Sequence, residues 1–433
     1  MAHEISERRF MIQRHISSWI VAVGLLFCSD MVQAQGPDID ISGSIKSYFI
    51  AVDQPQVFGE LQGDDGIDWT VQNQLRLQFV WNLTDLVRGE MAYDLLPMVQ
   101  SDDVVFSQSM GLNFEPISYR VTDLDRRIYP DDDDGDFILA QNLDRLFLTF
   151  SYDFADIHLG RQPIAFGSAL VINPTDVIAP YSFDELNTED RIGVDAIRAQ
   201  VPIGALGEFD AGILFGKNFE IEESAAFIRT KFYALNTDFT LLVLDFKENL
   251  LLGVDISRSI GGAGFWIEAA HTFAGVFNSR ESNQDFFRFS TGLDYNFNIS
   301  NGLLAYIEYH YNGASEGKKE EYLTQTDQTA FQDAGVFLLG RHYLTPGFTW
   351  MIQPLLTFDS SLLWNMEDSS VYLSVKIEYN LSENIYIGLG ANIAAGEGPK
   401  LADKADLSVE TIGPESEFGL YPSLYYGYIR YYF

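Results

Sequence analysis

From Ile41 to the end of the chain one unit recurs, a segment of roughly 10 residues with alternating polarity followed by a turn or loop. The stretch from Ser370 to Leu381 shows it best. Val371, Leu373, Val375, Ile377, Tyr379 and Leu381 form one face, and Tyr372, Ser374, Lys376, Glu378 and Asn380 form the other. Leu75, Leu77, Phe79 and Trp81 stand against Gln72, Gln74, Arg76 and Gln78 in the same way, as do Phe289, Leu293, Tyr295 and Phe297 against Arg288, Ser290, Asp294 and Asn296. A side-chain period of two is a strand with one apolar face. A soluble sandwich would alternate too, so the connections must decide. Tight turns fall at 82–85, 154–155, 203–207, 236–238, 260–262, 298–301, 345–346 and 382–384. Longer, acidic connections fall at 52–68, 97–136, 163–192, 216–226, 275–284, 313–332 and 395–418. Turns on one rim and loops on the other describe an all-β, single transmembrane antiparallel β-barrel of about 18 strands, with 16 as the alternative.

The 433 residues carry Lys+Arg 27 against Asp+Glu 62, a formal charge of -35. Such a chain repels nucleic acid, which is excluded as a partner. A hydrophobic content of 47% and an aromatic content of 14% argue against disorder. Arg8, Arg9 and Arg14 precede an apolar run from Ile16 to Cys28, and Val32-Gln33-Ala34 offers a small-residue cleavage site. Residues 1–34 therefore read as a signal peptide and 35–433 as the barrel. Cys28, the one cysteine, leaves with the leader. The terminal run Tyr425, Ile429, Tyr431 and Phe433 places aromatic and apolar residues at alternate positions. It resembles the signal read by the outer-membrane assembly machinery. The expected location is the bacterial outer membrane, with its lipid and lipopolysaccharide as partners.

Side chains cannot fill a barrel this wide, so an aqueous channel follows. Alternation turns Lys46, Arg76, Arg88, Arg145, Arg198, Arg229, Lys231, Arg288, Lys376 and Arg430 inward, with Glu90, Asp94, Asp210, Asp255, Glu268, Asp294, Glu308 and Glu378. Rings of Arg and Lys favour anions, whereas pairing across strands would merely solvate the wall. Arg76, Arg145, Arg229, Lys231, Arg288 and Lys376 are the lumen-charge candidates.

The connection from Leu159 to Arg198 is rich in Pro and Gly, which fix turns. Folded inward it would constrict the pore, and folded outward it would rest on the rim. Arg161, Asp190, Arg191 and Arg198 are the constriction candidates. Within it, Leu159-Gly160-Arg161-Gln162-Pro163-Ile164-Ala165-Phe166-Gly167, then Pro174-Thr175-Asp176 and Asp190-Arg191-Ile192-Gly193-Val194-Asp195, resembles the central segment of alginate-export-type outer-membrane porins. That resemblance implies an 18-stranded barrel and basic constriction residues, with Arg161 and Arg191 at matching positions. The many inward acids depart from a strongly positive exporter. The implied cargo is a small hydrophilic solute or a saccharide.

Asp131, Asp132, Asp133, Asp134 and Asp136 offer oxygen ligands for Ca²⁺, without the EF-hand spacing or its distal glutamate; otherwise they form a solvated loop tip. No other cofactor is implied. His158 with Asp156, and His310 with Glu308, share inward faces, which keeps a barrel hydrolase as a rival reading. A plugged structural or adhesive barrel is the other rival.

Overall fold

Each alternating segment is a strand in the computed structural model, which describes residues 39–55, 67–101, 117–129, 137–276, 284–401 and 412–433. In chain order the wall comprises β1 (Ile39–Asp53), β2 (Asp68–Thr84), β3 (Val87–Gln100), β4 (Phe137–Tyr152), β5 (Ala155–Pro163) and β6 (Gly193–Ile203). It continues through β7 (Gly207–Leu214), β8 (Ala225–Ala234), β9 (Thr237–Phe246), β10 (Asn249–Ile260), β11 (Ala263–Phe273) and β12 (Phe286–Phe297). The last six are β13 (Leu303–Asn312), β14 (His342–Gln353), β15 (Leu356–Asn365), β16 (Val371–Ser382), β17 (Ile385–Ala395) and β18 (Ser423–Tyr432). Every pairing is antiparallel between neighbours in the chain, and β1 pairs with β18, so that Lys46 lies opposite Arg430 and Tyr48 opposite Tyr428. The sheet closes. Its remaining member, the three-residue strand Arg127–Tyr129, pairs with β4. No described helix is long and apolar enough to cross a membrane.

The count of 18 holds. At the turn-side rim, Leu235 and Asn236 (φ 55° and 58°) and Gly261 and Gly262 (φ 60° and 89°) make two-residue hairpins whose positive φ values match the strand twist. One expected turn is corrected. Thr345 and Pro346 lie inside β14, and the chain reverses after Gln353 instead. Pro346 lacks an N–H, and the ladder from β14 to β15 passes from Leu344 to Gly347 without pairing it. Proline marked a gap in the ladder, not its end.

The two faces divide as the alternation requires. Phe49, Ile213, Val243, Leu252, Leu293, Ile377, Leu389, Tyr425 and Ile429 point outward and stay exposed. Lys46, Arg76, Asp94, Asp210, Glu268, Arg288, Ser290 and Glu308 are buried inside. Polar groups inside and bare apolar groups outside invert the pattern of a water-soluble protein. The larger apolar cluster also sits inside, where Ile164, Phe166, Val177 and Ile178 pack on Phe227, Leu242, Leu244 and Phe286. Residues 1–34 and Asp131, Asp132, Asp133, Asp134 and Asp136 lie outside the described residues.

Candidate functional site

The connection between β5 and β6, residues 164–192, folds into the barrel. Gly167 makes its first bend at φ +89°, and a Cβ there would lie 2.6 Å from the Glu268 carboxylate. That carboxylate, on β11, accepts from Ser168 N (2.9 Å), Ala169 N (3.0 Å), Thr175 N (2.8 Å) and Thr175 Oγ1 (2.7 Å). Glu308, on β13, accepts from Leu170 N (2.9 Å), Val171 N (3.3 Å), Ile172 N (2.9 Å) and Trp266 Nε1 (3.1 Å). From β12 between them, Arg288 donates to Pro174 O (3.0 Å) and Ser290 to Ile172 O (2.6 Å). A hydrogen bond to a charged group contributes about 1.5–3 kcal/mol net. This side of the segment is held firmly.

Its far end is tied across the lumen, to strands several positions round the ring. Lys46 on β1 donates to Asn187 (3.1 Å) and pairs with Glu189 (2.6 Å) and Asp190 (3.6 Å). Asn187 donates to Gln74 on β2, and Arg430 and Tyr432 on β18 both reach Glu189. The segment thus divides the interior. On one side a cavity of about 400 Å³ is lined by Asp176, Glu185, Arg191, Arg288, Tyr306 and His310, among others. A second, of about 100 Å³, lies against Gln74, Arg76, Asp94, Asp144 and Asp190.

The constriction candidates separate into two groups. Arg191 stays within the segment, donating to Asp176 and to Ala179 O (2.6 Å), with its guanidinium 4.4 Å from the Tyr181 ring centre. Burial raises the Asp176 carboxyl to about 6 against the opposing pull of Arg191, and burial raises Glu185 to about 7. Asp190 lies 3.5 Å from Arg76 and 3.8 Å from Arg145. Arg161 is elsewhere. It sits at the end of β5, buried, donating to Asp195 (2.8 Å), Asp123 (2.9 Å), Leu143 O (2.9 Å) and Thr122 O (2.7 Å) instead of joining Asp190. Arg198 forms a two-pronged bond to Asp210 on the wall (2.8 and 2.7 Å).

The lumen candidates are mostly paired. Arg76 meets Asp94 (3.0 Å) and Asp144 (2.6 Å), Arg145 meets Glu90 (3.0 Å), Arg229 meets Asp210 (2.5 Å), and Lys376 meets Asp359 (3.4 Å). Lys231 lies opposite Glu208 in the β7–β8 ladder and is exposed. Pairing consumes much of the positive field that an inward count of arginines suggested. The histidine–carboxylate pairs that the rival hydrolase reading would use are not hydrogen-bonded to each other. His158 bonds Thr149 and Gln200, while His310 bonds Ser290, whose hydroxyl is already donated to Ile172 O. Glu308 serves the segment's backbone.

At the loop-side rim, Glu417 is buried and accepts from Leu339 N (2.7 Å), Tyr343 Oη (2.5 Å) and Asn365 Nδ2 (2.8 Å). Its own N–H donates to Asp368 (2.7 Å). Through its carboxylate and its N–H together, Glu417 therefore joins its own connection to those holding Leu339 and Asp368, and to the ends of β14 and β15. Phe183 from the inner segment packs edge-on against Tyr372 and Phe418 beneath it, with centroids at 5.1 and 5.8 Å.

No protein-family profile matches the chain, and no curated protein matches it. Solved structures do. OccK8 (OprE) of Pseudomonas aeruginosa is 9% identical over 92% of this chain and 98% of its own, with a TM-score of 0.53. OprD of Pseudomonas aeruginosa is 10% identical over 94% and 98%, with a TM-score of 0.52. The outer membrane protein opdK from the same organism is 8% identical over 92% and 99%, with a TM-score of 0.51. At these identities the likeness is one of fold. The chain shares that fold, and its own wall is a closed antiparallel barrel of 18 strands.

Proposed function

We propose that this chain is an outer-membrane channel for passive diffusion or export of hydrophilic solutes, with anionic or saccharide solutes preferred. The observation that carries this reading is the 164–192 segment, tied to both walls and leaving a cavity of about 400 Å³ beside Arg191 and Arg288. A peptide drawn across a wide barrel narrows it, and the groups on its free side line the space that is left. The outward apolar belt supports membrane residence, and porin-type neighbours of the same fold support a channel. The alternating aromatic terminus supports insertion by the assembly machinery, with residues 1–34 as the export signal. Outer-membrane lipid and lipopolysaccharide would surround the wall, and Ca²⁺ on the 131–136 run is part of the same proposal. Alginate-type cargo rests on the Leu159–Asp195 motif alone. The Glu417 node favours a second reading, a barrel whose mouth is closed by its own loops. Liposome swelling with neutral sugars of graded size tests both. Graded uptake supports the channel, and no uptake by vesicles holding folded protein supports closure.

A further inference from the structure

We propose that Glu268 and Glu308 are the positioning residues of this channel, two wall carboxylates that hold 168–175 in the lumen by its backbone and so set the width of the passage. This rests on the constriction reading above. Residues 168 to 172 are consecutive, and each of their N–H groups ends on one of these two carboxylates. Thr175 adds its N–H and its hydroxyl. Both carboxylates are sealed from solvent, at 0% and 1% exposure. Each accepts four donors, about the number of lone-pair sites a carboxylate offers. They stand on β11 and β13, and β12 between them addresses the carbonyls of Ile172 and Pro174 through Ser290 and Arg288. Three neighbouring strands thus fix both the donors and the acceptors of one short run of backbone.

Recognition through the backbone separates two tasks. The segment's place is fixed by the wall, while side chains such as Leu170, which is 51% exposed, remain free to face the solute path. Glutamine at either position would replace one accepting oxygen with an NH₂ group that itself donates, set against amide donors. Aspartate would fall short by one methylene.

The test uses the full-length chain, refolded, with Cys28→Ser and a single reporter, Val177→Cys, a position two residues past Thr175 in the same segment that is 3% exposed and packed in the inner apolar cluster. Folding is checked by circular dichroism and by resistance of the barrel to detergent at room temperature. In the Glu268→Gln/Glu308→Gln double variant, a charged water-soluble thiol reagent should label Cys at position 177 at least about tenfold faster, the factor matching loss of one charged hydrogen bond. The size cut-off for neutral polyethylene glycols in single-channel recordings should also be lost. If the double variant does not fold, each single variant is read the same way. Labelling and cut-off unchanged in folded variants would overturn the proposal. A parent protein that labels slowly yet never conducts would sink the channel reading and leave the positioning role to be judged on labelling alone.

Discussion

The guanidinium of Arg76 donates through Nη1 to both carboxylate oxygens of Asp94, each at 3.0 Å, while Nη2 reaches Asp144 at 2.6 Å. All three residues are almost fully buried inside the wall. A cation shared by two carboxylates, and approached by Asp190 from the inner segment, is committed to structure. It supports the place where strands β2 to β4 meet that segment.

Arg76→Met should therefore destabilise the barrel by about 3–5 kcal/mol, because two buried carboxylates lose their shared partner. Urea unfolding of the refolded protein in lipid measures this. A loss under about 1 kcal/mol, the range of an exposed pair, would show that Arg76 is merely solvated lumen charge.

The alternation of single strands made much of this architecture legible. Val371 to Leu381 sorted correctly, and so did the inward placement of Arg76, Arg288 and Glu308, because period two leaves no third option. Pro346 misled, since proline signals both turns and gaps in a ladder. The anchoring of 164–192 could not be read at all. Glu268 holds backbone N–H groups 93 to 100 residues away and Glu308 holds others 136 to 138 residues away, and backbone donors carry no side-chain signature. Arg161 looked like a constriction residue on its motif, yet its donors meet Asp123 and Asp195, partners that only tertiary packing brings together.

Gly167→Ala should disturb the segment without opening the barrel. Its φ of +89° disfavours any Cβ, and the Glu268 carboxylate occupies the space a methyl would need. A cost of about 1–3 kcal/mol is expected. Single-channel recordings should show a noisier open state at unchanged strand content by circular dichroism. A quiet parental current would contradict the tight bend at Gly167.

Glu417 should make the loop-side rim sensitive to pH. Burial raises its carboxyl to about 7 from the usual 4.5, so the folded rim binds a proton that the opened rim releases between those values. Stability of the tie is then fully present below about 4.5 and falls as pH rises towards 7. Hydrogen-exchange protection of the Leu339 amide, corrected for intrinsic rate, should fall between pH 5 and pH 8. Protection that is flat or rises over this window would contradict the assignment.

Leu389 lies mid-strand on β17, outward and 66% exposed. If that face meets hydrocarbon, Leu389→Arg should cost about 2–4 kcal/mol in reversible folding into vesicles, the midplane value for arginine on a lipid face. An unchanged folding free energy would place water against this face.

Current through the refolded full-length chain in a planar bilayer, recorded under a salt gradient, tests the central claim most directly. The account predicts stable unit steps with an anion-favouring reversal potential, shifted towards cations by Arg191→Gln. Absence of steps across repeated insertions of demonstrably folded barrel would contradict it and favour a mouth closed by the loops that Glu417 joins.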